Sequence, residues 1–326
     1  MTDTDVLVVC VDGTVGWRTS ATEFAGALER CGVRVQTVFT GPVPTVRTFA
    51  LTDLVQARAA RRVCVEGIAA HDPTAIVYCA ITAALLWPRP GAIWLDALAA
   101  ENRPGRHGVW QRMLERRRIA AAPLIVRMSA RALAPRSDPR TPIIPTPVES
   151  SGPVDAARDI AAITYAADPV KRRLELVLDA WSAARRAGEM LVVAGTDRLA
   201  PREGVELAGR LPPAEYRRLL RRARVFVCAP RREDYGIAPL EALADGCVLV
   251  TTPARGAYPA FDLARELDPR LATEDLAPAL RVALDEPVPD YAARASELLA
   301  PFRRDAIDAT MRCDVLPRLL PGFNAP

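Results

Sequence analysis

The sequence predicts an α/β protein built from two doubly wound domains, and three observations carry that prediction. The chain opens as apolar run, turn, amphipathic helix and second apolar run, a β-α-β unit. A second unit of the same kind fills residues 224–256. Between them lies a proline-rich stretch, and 326 residues are long for one core but natural for two domains of about 150 residues each.

In order, Asp5 to Val11 is a strand-length apolar run, and Asp12-Gly13-Thr14-Val15-Gly16 is the turn after it. A helix through Ala21, Phe24, Ala25 and Leu28 follows, then Gly32 and a second strand from Val33 to Phe39. The glycine turn lacks the third glycine of a dinucleotide fingerprint, and strand two has no good acidic residue at its end, so NAD is not expected here. Residues 51–70 read as an amphipathic helix, with short strands at Ala75 to Cys79 and Ile93 to Asp96.

The next loop, Asn102 to Trp110, places His107, one of two histidines, between glycines beside a tryptophan and the arginines Arg103 and Arg106. It is either a ligand-binding loop or solvent-exposed chain without a task. Arg103 to Arg131 holds eight arginines against one acid, Glu115, interleaved with Trp110, Met113, Leu114 and Ile119. Such a helix suits anionic lipid or a phosphorylated acceptor. A solvated charged face is the plainer reading.

Residues 135–159 hold six prolines and read as the interdomain linker, which sets domains at 1–150 and 151–302. A C-terminal segment at about 303–326 is expected to return and brace the first domain. The second domain opens with the strand Ile163-Thr164-Tyr165 and a helix expected over Arg172 to Ala187, apolar at Leu174, Val177, Leu178 and Trp181. Lys171, the only lysine of the chain, is expected at that helix's N-terminal end. There its charge opposes the helix dipole, which makes sense if an anion binds. Met190 to Ala194 is a strand ending at Gly195, Gly204 to Leu211 a strand and turn, and Glu215 to Arg222 a helix.

The unit at 224–256 is the focus. Val225 to Cys228 is a buried strand, Pro230 stops it, and a polar loop carries Glu233, Asp234 and Gly236. Pro239 sits in the opening turn of a helix through Glu241 that Gly246 ends, and Cys247 to Thr251 is the following strand. The loop therefore lies at the carboxyl edge of a parallel sheet, where ligands bind. Unpaired N–H groups opening such a helix favour phosphate, and a carboxylate one turn in can accept ribose hydroxyls.

Composition narrows the class. A net charge of +4 does not by itself suggest nucleic acid, and no stretch approaches the ~20 apolar residues of a membrane span. Seven cysteines, an odd number without metal-ligand spacing, read as small core residues in a reducing compartment. The acidic N-terminus is unlike a signal peptide, so a cytoplasmic protein is expected, with possible peripheral contact at an anionic membrane.

EDYGIAPLEALADGCVLVTT resembles the signature of retaining GT-B glycosyltransferases of family four (glycosyl transferases group 1): a Glu, a nearby Gly, a second Glu eight positions on, and a small-residue helix ending in Gly. The resemblance is good over 160–260 and loose before 150. It implies a GT-B fold, two Rossmann-like domains facing a central cleft, and a retaining, metal-independent transfer from a nucleotide-diphosphate sugar to a glycan, lipid or small molecule, with no cofactor. Carried over, Glu233 lies near the donor sugar, Glu241 holds the ribose, and Gly236, Ile237 and Gly195 belong to the donor site. Lys171 matches the family's diphosphate lysine. Its arginine partner is replaced by Ala166, leaving Arg172 or Arg173 as substitutes. On the acceptor side the resemblance points to Gly13 and Asp96, with Arg106 and His107 in the loop beyond. The histidine the family often carries before Asp96 is Leu95 here. Those two departures favour the alternative of a non-catalytic GT-B-like binding or partner protein; a nucleotide-sugar epimerase on the same fold is a second alternative.

Overall fold

In a computed structural model the chain divides into two compact units, Met1–Pro147 with Arg304–Pro326, and Val148–Arg303. The structure describes residues 4–13, 15–44, 46, 48–103, 105–132, 140–153 and 157–323. Thr14 of the expected glycine turn, Pro104 of the expected loop, and 135–139 and 154–156 of the expected linker lie outside them.

The first unit runs β1 (Val6–Asp12), α1 (Val15–Arg30), β2 (Val35–Pro42), α2 (Phe49–His71), β3 (Ala75–Cys79), α3 (Ile81–Ala84), β4 (Ala92–Leu95), α4 (Ala99–Asn102), α5 (Val109–Ala121) and β5 (Ile125–Arg127). Its five strands are parallel in the order β2-β1-β3-β4-β5. The strand order reverses between β1 and β3, the switch point at which such sheets open a crevice. β1, buried along nearly its whole length, shows why these strands read as unbroken apolar runs rather than alternating ones.

The expected linker is shorter than 135–159. Arg127 and Ile143 form a parallel bridge, the Trp94 indole N–H donates to the Ile144 carbonyl at 2.8 Å, and Ile144 is buried. Prolines prevent a regular strand here, but the segment still covers the first unit's core. The C-terminal elements α12 (Arg304–Thr310) and α13 (Leu316–Leu319) belong to this unit too. α12 is tied to α1 by Arg304 with Glu23 at 2.8 Å and Arg30 with Asp308 at 2.7 Å.

The second unit runs β6 (Ile160–Tyr165), α6 (Leu174–Ala184), β7 (Leu191–Ala194), β8 (Val205–Gly209), α7 (Pro213–Arg222), β9 (Ala223–Cys228), α8 (Ile237–Ala244), β10 (Val248–Thr251), α9 (Pro259–Leu267), α10 (Leu276–Asp285) and α11 (Tyr291–Leu298). Again all five strands are parallel, in the order β10-β9-β6-β7-β8. Here the order reverses between β6 and β9. The loops leaving those two strands carry Lys171 and Arg172 on one side and Glu233 on the other.

The helix expected from Arg172 is shorter, Leu174–Ala184. Asp168 and Pro169 wind the chain into tight turns first: the Asp168 carboxylate accepts the Lys171 N–H at 2.9 Å, and Pro169 O accepts from Leu174 N. Arg173 then takes a left-handed conformation, φ +47°, that an α-helix cannot contain. Lys171 thus stands in a turn before the helix and not on its first residues.

Candidate functional site in the second unit

Three loops meet at the carboxyl edge of the second sheet. The loop after β6 is fastened by Arg173, whose guanidinium donates to Ala229 O and to Thr252 Oγ1, both at 2.7 Å, past the ends of β9 and β10. The loop after β9 is zipped to it, with Arg231 N–H donating to Lys171 O at 2.9 Å. Arg173 is therefore committed to the scaffold. Arg172 is the arginine that forms an ion pair with Glu233. The two side chains are 19% and 7% exposed, so the pair closes the switch point with little water around it.

Glu233 is held by its own backbone. Its N–H donates to Arg255 O at 2.8 Å and its carbonyl accepts from Tyr258 N at 3.2 Å. Gly256 makes that clamp possible: at φ +104° a Cβ would stand 2.4 Å from Glu233 O, closer than any side chain can come. Gly236, at φ +85°, caps α8, and a Cβ there would press on Glu233 Cγ at 3.0 Å. Arg232 and Asp234 pair beside it. Ile237 opens α8, whose N–H groups face no side-chain cap.

Lys171 is exposed at its side chain. Desolvation and the adjacent Arg172 nonetheless hold its ammonium below the usual lysine range. Together Lys171 and Arg172 concentrate positive charge over the edge where Glu233 sits. Gly195, ending β7 with its N–H donating to Gly209 O at 2.7 Å, stands at the same edge beyond β6.

Glu241, one turn into α8, is partly buried, and desolvation pushes its carboxyl above the usual range. Arg217 of α7 opposes that shift from 3.3 Å. The same guanidinium donates to Asp245 at 2.6 Å and to Glu149 O at 2.7 Å, while the fully buried Asp245 accepts from Ser151 N–H and Oγ at 2.8 and 2.9 Å. Sequence reading did not find Arg217 or Asp245. Arg217 is one of several arginines on a strongly amphipathic helix, and no spacing separates it from its neighbours.

The first unit is a separate matter. Asp96 follows β4 and accepts the Ala97 N–H at 2.8 Å. With Trp17, Ser20, Cys10, Cys79 and Met128 it lines a small pocket at that sheet's own switch point. Gly13 lies beside Trp17, 3.5 Å from a Cβ built on the glycine. Arg106 and His107 stand exposed on a one-turn 3-10 segment, Arg106–Gly108, and do not line the pocket.

The arginine-rich helix α5 turns most of its interleaved apolar residues inward. Trp110, Leu114 and Ile119 pack against the core of the first unit, Glu115 is buried with its carboxyl accepting the Ala99 N–H at 2.6 Å, and Arg103 is paired with Asp53. Met113 and Val109 remain as its exposed large apolar side chains. Three of the four interleaved hydrophobics serve the core, because the helix turns its i, i+4 stripe toward it.

Two Rossmann-like units with parallel sheets define the GT-B fold of glycosyltransferases. Residues 159–303, nearly the whole second unit, match the family described as glycosyl transferases group 1, which supports sugar transfer. WaaG, a glycosyltransferase involved in lipopolysaccharide biosynthesis, shares the fold at TM-score 0.66 and 15% identity, covering 94% of this chain and 99% of that one. Sucrose-phosphate synthase from Thermosynechococcus elongatus does so at TM-score 0.64 and 14% identity, covering 94% and 97%. A candidate UDP-N-acetylglucosamine 2-epimerase from Listeria monocytogenes aligns at TM-score 0.60 and 14% identity, covering 100% and 99%. No curated protein sequence matches the chain. Among the described residues no helix is long and apolar enough to cross a membrane.

Proposed function

We propose that the protein is a retaining, metal-independent glycosyltransferase that takes a sugar from a nucleotide-diphosphate donor. The observation that carries the reading is the Arg172–Glu233 ion pair at the β6/β9 switch point, with Lys171 in the same turn and the α8 N-terminus in the adjoining loop. In this reading Lys171 and Arg172 bind the diphosphate and stabilise the charge that develops on it as the glycosidic bond breaks. Glu233, released from Arg172 when phosphate takes its place, contacts the sugar and steadies positive charge at the anomeric carbon. Gly236 and Ile237 present N–H groups to the phosphate, Gly195 borders the nucleotide, and Glu241 accepts the ribose hydroxyls. The acceptor is a glycan, lipid or small molecule, with Gly13, Asp96, Arg106 and His107 as the first-unit residues assigned to its side. The protein acts in the cytoplasm, with peripheral contact at an anionic membrane as a further element of the reading.

The test is calorimetric titration with UDP, GDP, ADP and TDP of the wild type and Glu241→Ala. Binding of one nucleotide that the variant loses supports the donor site, and the matching nucleotide sugars then enter a transfer screen with and without chelator, the anomer of the product being read by NMR. Failure to bind any of the four overturns the reading. The epimerase-like relative favours a second one on the same fold, epimerisation of the nucleotide sugar. Release of an epimer without acceptor would decide for it.

A further inference from the structure

We infer that Arg217 is the positioning residue for Glu241, setting both the direction and the charge of the carboxylate that meets the donor's ribose. The inference rests on the nucleotide-site reading above and concerns a residue on a different element from either glutamate.

The geometry is a relay through three segments: residues 149–151, α7, and α8 with its C-cap. Ser151, just after the start of the second unit, gives Asp245 two hydrogen bonds, at 2.8 and 2.9 Å. Asp245 is fully buried, and its other oxygen takes Arg217 Nε at 2.6 Å. Arg217 Nη2 is anchored by Glu149 O at 2.7 Å, so two of its three nitrogens are committed to fixed partners. Only Nη1 remains directed at Glu241, and it lies 3.3 Å from Oε1. A planar fork held at two points has no freedom at the third, which a lysine could not reproduce.

The electrostatics call for such a partner. Glu241 suffers desolvation, and Asp245 adds like-charge repulsion, so both favour the neutral acid. An ionised carboxylate can accept hydrogen bonds from two vicinal hydroxyls, whereas a protonated one surrenders an acceptor. Arg217 is the cation that opposes both the desolvation and the repulsion. Its substitution is therefore expected to impair recognition of the diol and not of the diphosphate, which Lys171 and Arg172 meet.

The experiment measures the affinities of UDP, GDP and ADP, each beside its 2′,3′-dideoxy counterpart, between pH 5.5 and 8.5. The proteins are wild type, Glu241→Ala, Arg217→Lys, and the double variant Arg217→Met with Asp245→Asn. The double variant removes the buried carboxylate together with its cation, and thermal melting checks that each protein folds. Preference of the wild type for one ribose form, lost in Glu241→Ala, is the premise. Given that, both Arg217 variants are expected to lose about tenfold of the ribose preference while dideoxy affinity stays within twofold. The double variant should regain part of its ribose affinity as pH rises. Ribose preference retained in Arg217→Lys and in the double variant overturns the role of Arg217 and leaves the site standing. Equal loss on ribose and dideoxy forms also overturns it, assigning Arg217 to the phosphate or the scaffold. If the wild type itself shows no ribose preference, the Glu241 reading fails first and the inference with it.

Discussion

Arg172→Met is the perturbation that most directly tests the architecture of the switch point. It removes the cation from a pair in which Glu233 is 7% exposed, leaving a carboxylate buried against Gly236 and α8. Breaking a buried pair from one side typically destabilises by 3–5 kcal/mol, because the remaining ion is uncompensated. Since Arg172 is itself 19% exposed, water can partly replace it, and the lower end, about 3 kcal/mol, is expected. For a unit of this size that corresponds to a fall of roughly 6–12 °C in Tm. The deficit should shrink between pH 8 and pH 5, since a buried carboxylate without its counter-ion protonates more readily and the neutral acid needs no partner. Adding Glu233→Leu to the variant removes the stranded charge and should recover most of the loss. Thermal melts of the wild type, both single variants and the double at three pH values give a complete cycle. A Tm for Arg172→Met within 2 °C of wild type, or a deficit that does not change with pH, would refute the claim that the pair is desolvated and coupled.

Other perturbations probe other links. Burial raises the Glu115 carboxyl to about 7, so its folded form holds a proton more tightly than its unfolded one. The penalty is absent below the unfolded value of about 4.3 and complete above about pH 7, roughly 4 kcal/mol. Glu115→Gln, which still accepts the Ala99 N–H, should therefore match the wild type at pH 4.5 and melt higher at pH 8; a lower melting point at pH 8 would show that the charge is needed. Gly256→Ala places a methyl against Glu233 O and forces a left-handed alanine, so a loss of at least about 2 kcal/mol and of nucleotide affinity is expected in calorimetry. A variant as stable as wild type would show that the clamp on Glu233 is loose. The Tyr216 hydroxyl is buried without a partner among the described residues, so Tyr216→Phe should leave Tm unchanged or raise it by the equivalent of about 1 kcal/mol. A drop would reveal a bond to that hydroxyl.

The β-α-β units were legible because parallel strands buried on both faces read as apolar runs, as Val225 to Cys228 and Cys247 to Thr251 do. The glutamate spacing was legible because the strand, loop and helix that carry it are contiguous in sequence. Where the reading failed, the deciding contact was remote. The start of α6 was misplaced because Lys171, Arg172 and Arg173 are ordinary helix formers, while an Asp-Pro turn and a left-handed Arg173 delay the helix. Which way the apolar residues of α5 face was not legible, because a tryptophan among arginines looks the same in sequence whether its ring meets solvent, lipid or a protein core. Which of Arg172 and Arg173 faces Glu233 depended on Ala229 O and Thr252, 56 and 79 residues from Arg173.

Neither arginine differs from the other in type, and one residue separates them in neither charge nor propensity. What separates them is that a left-handed turn at Arg173 sends the two side chains to different partners, one to the frame and one to the carboxylate. The family-like arginine position, Ala166, is buried with its N–H spent on Ala194 O, so a guanidinium there would have to be desolvated beside β7. Moving the cation six residues on, to a turn already opened by Asp168 and Pro169, keeps it at the same switch point without that desolvation. Ala166→Arg in an Arg172→Met background tests the exchange: failure to restore diphosphate affinity in calorimetry is the expected result, and full restoration would show that the two positions are interchangeable.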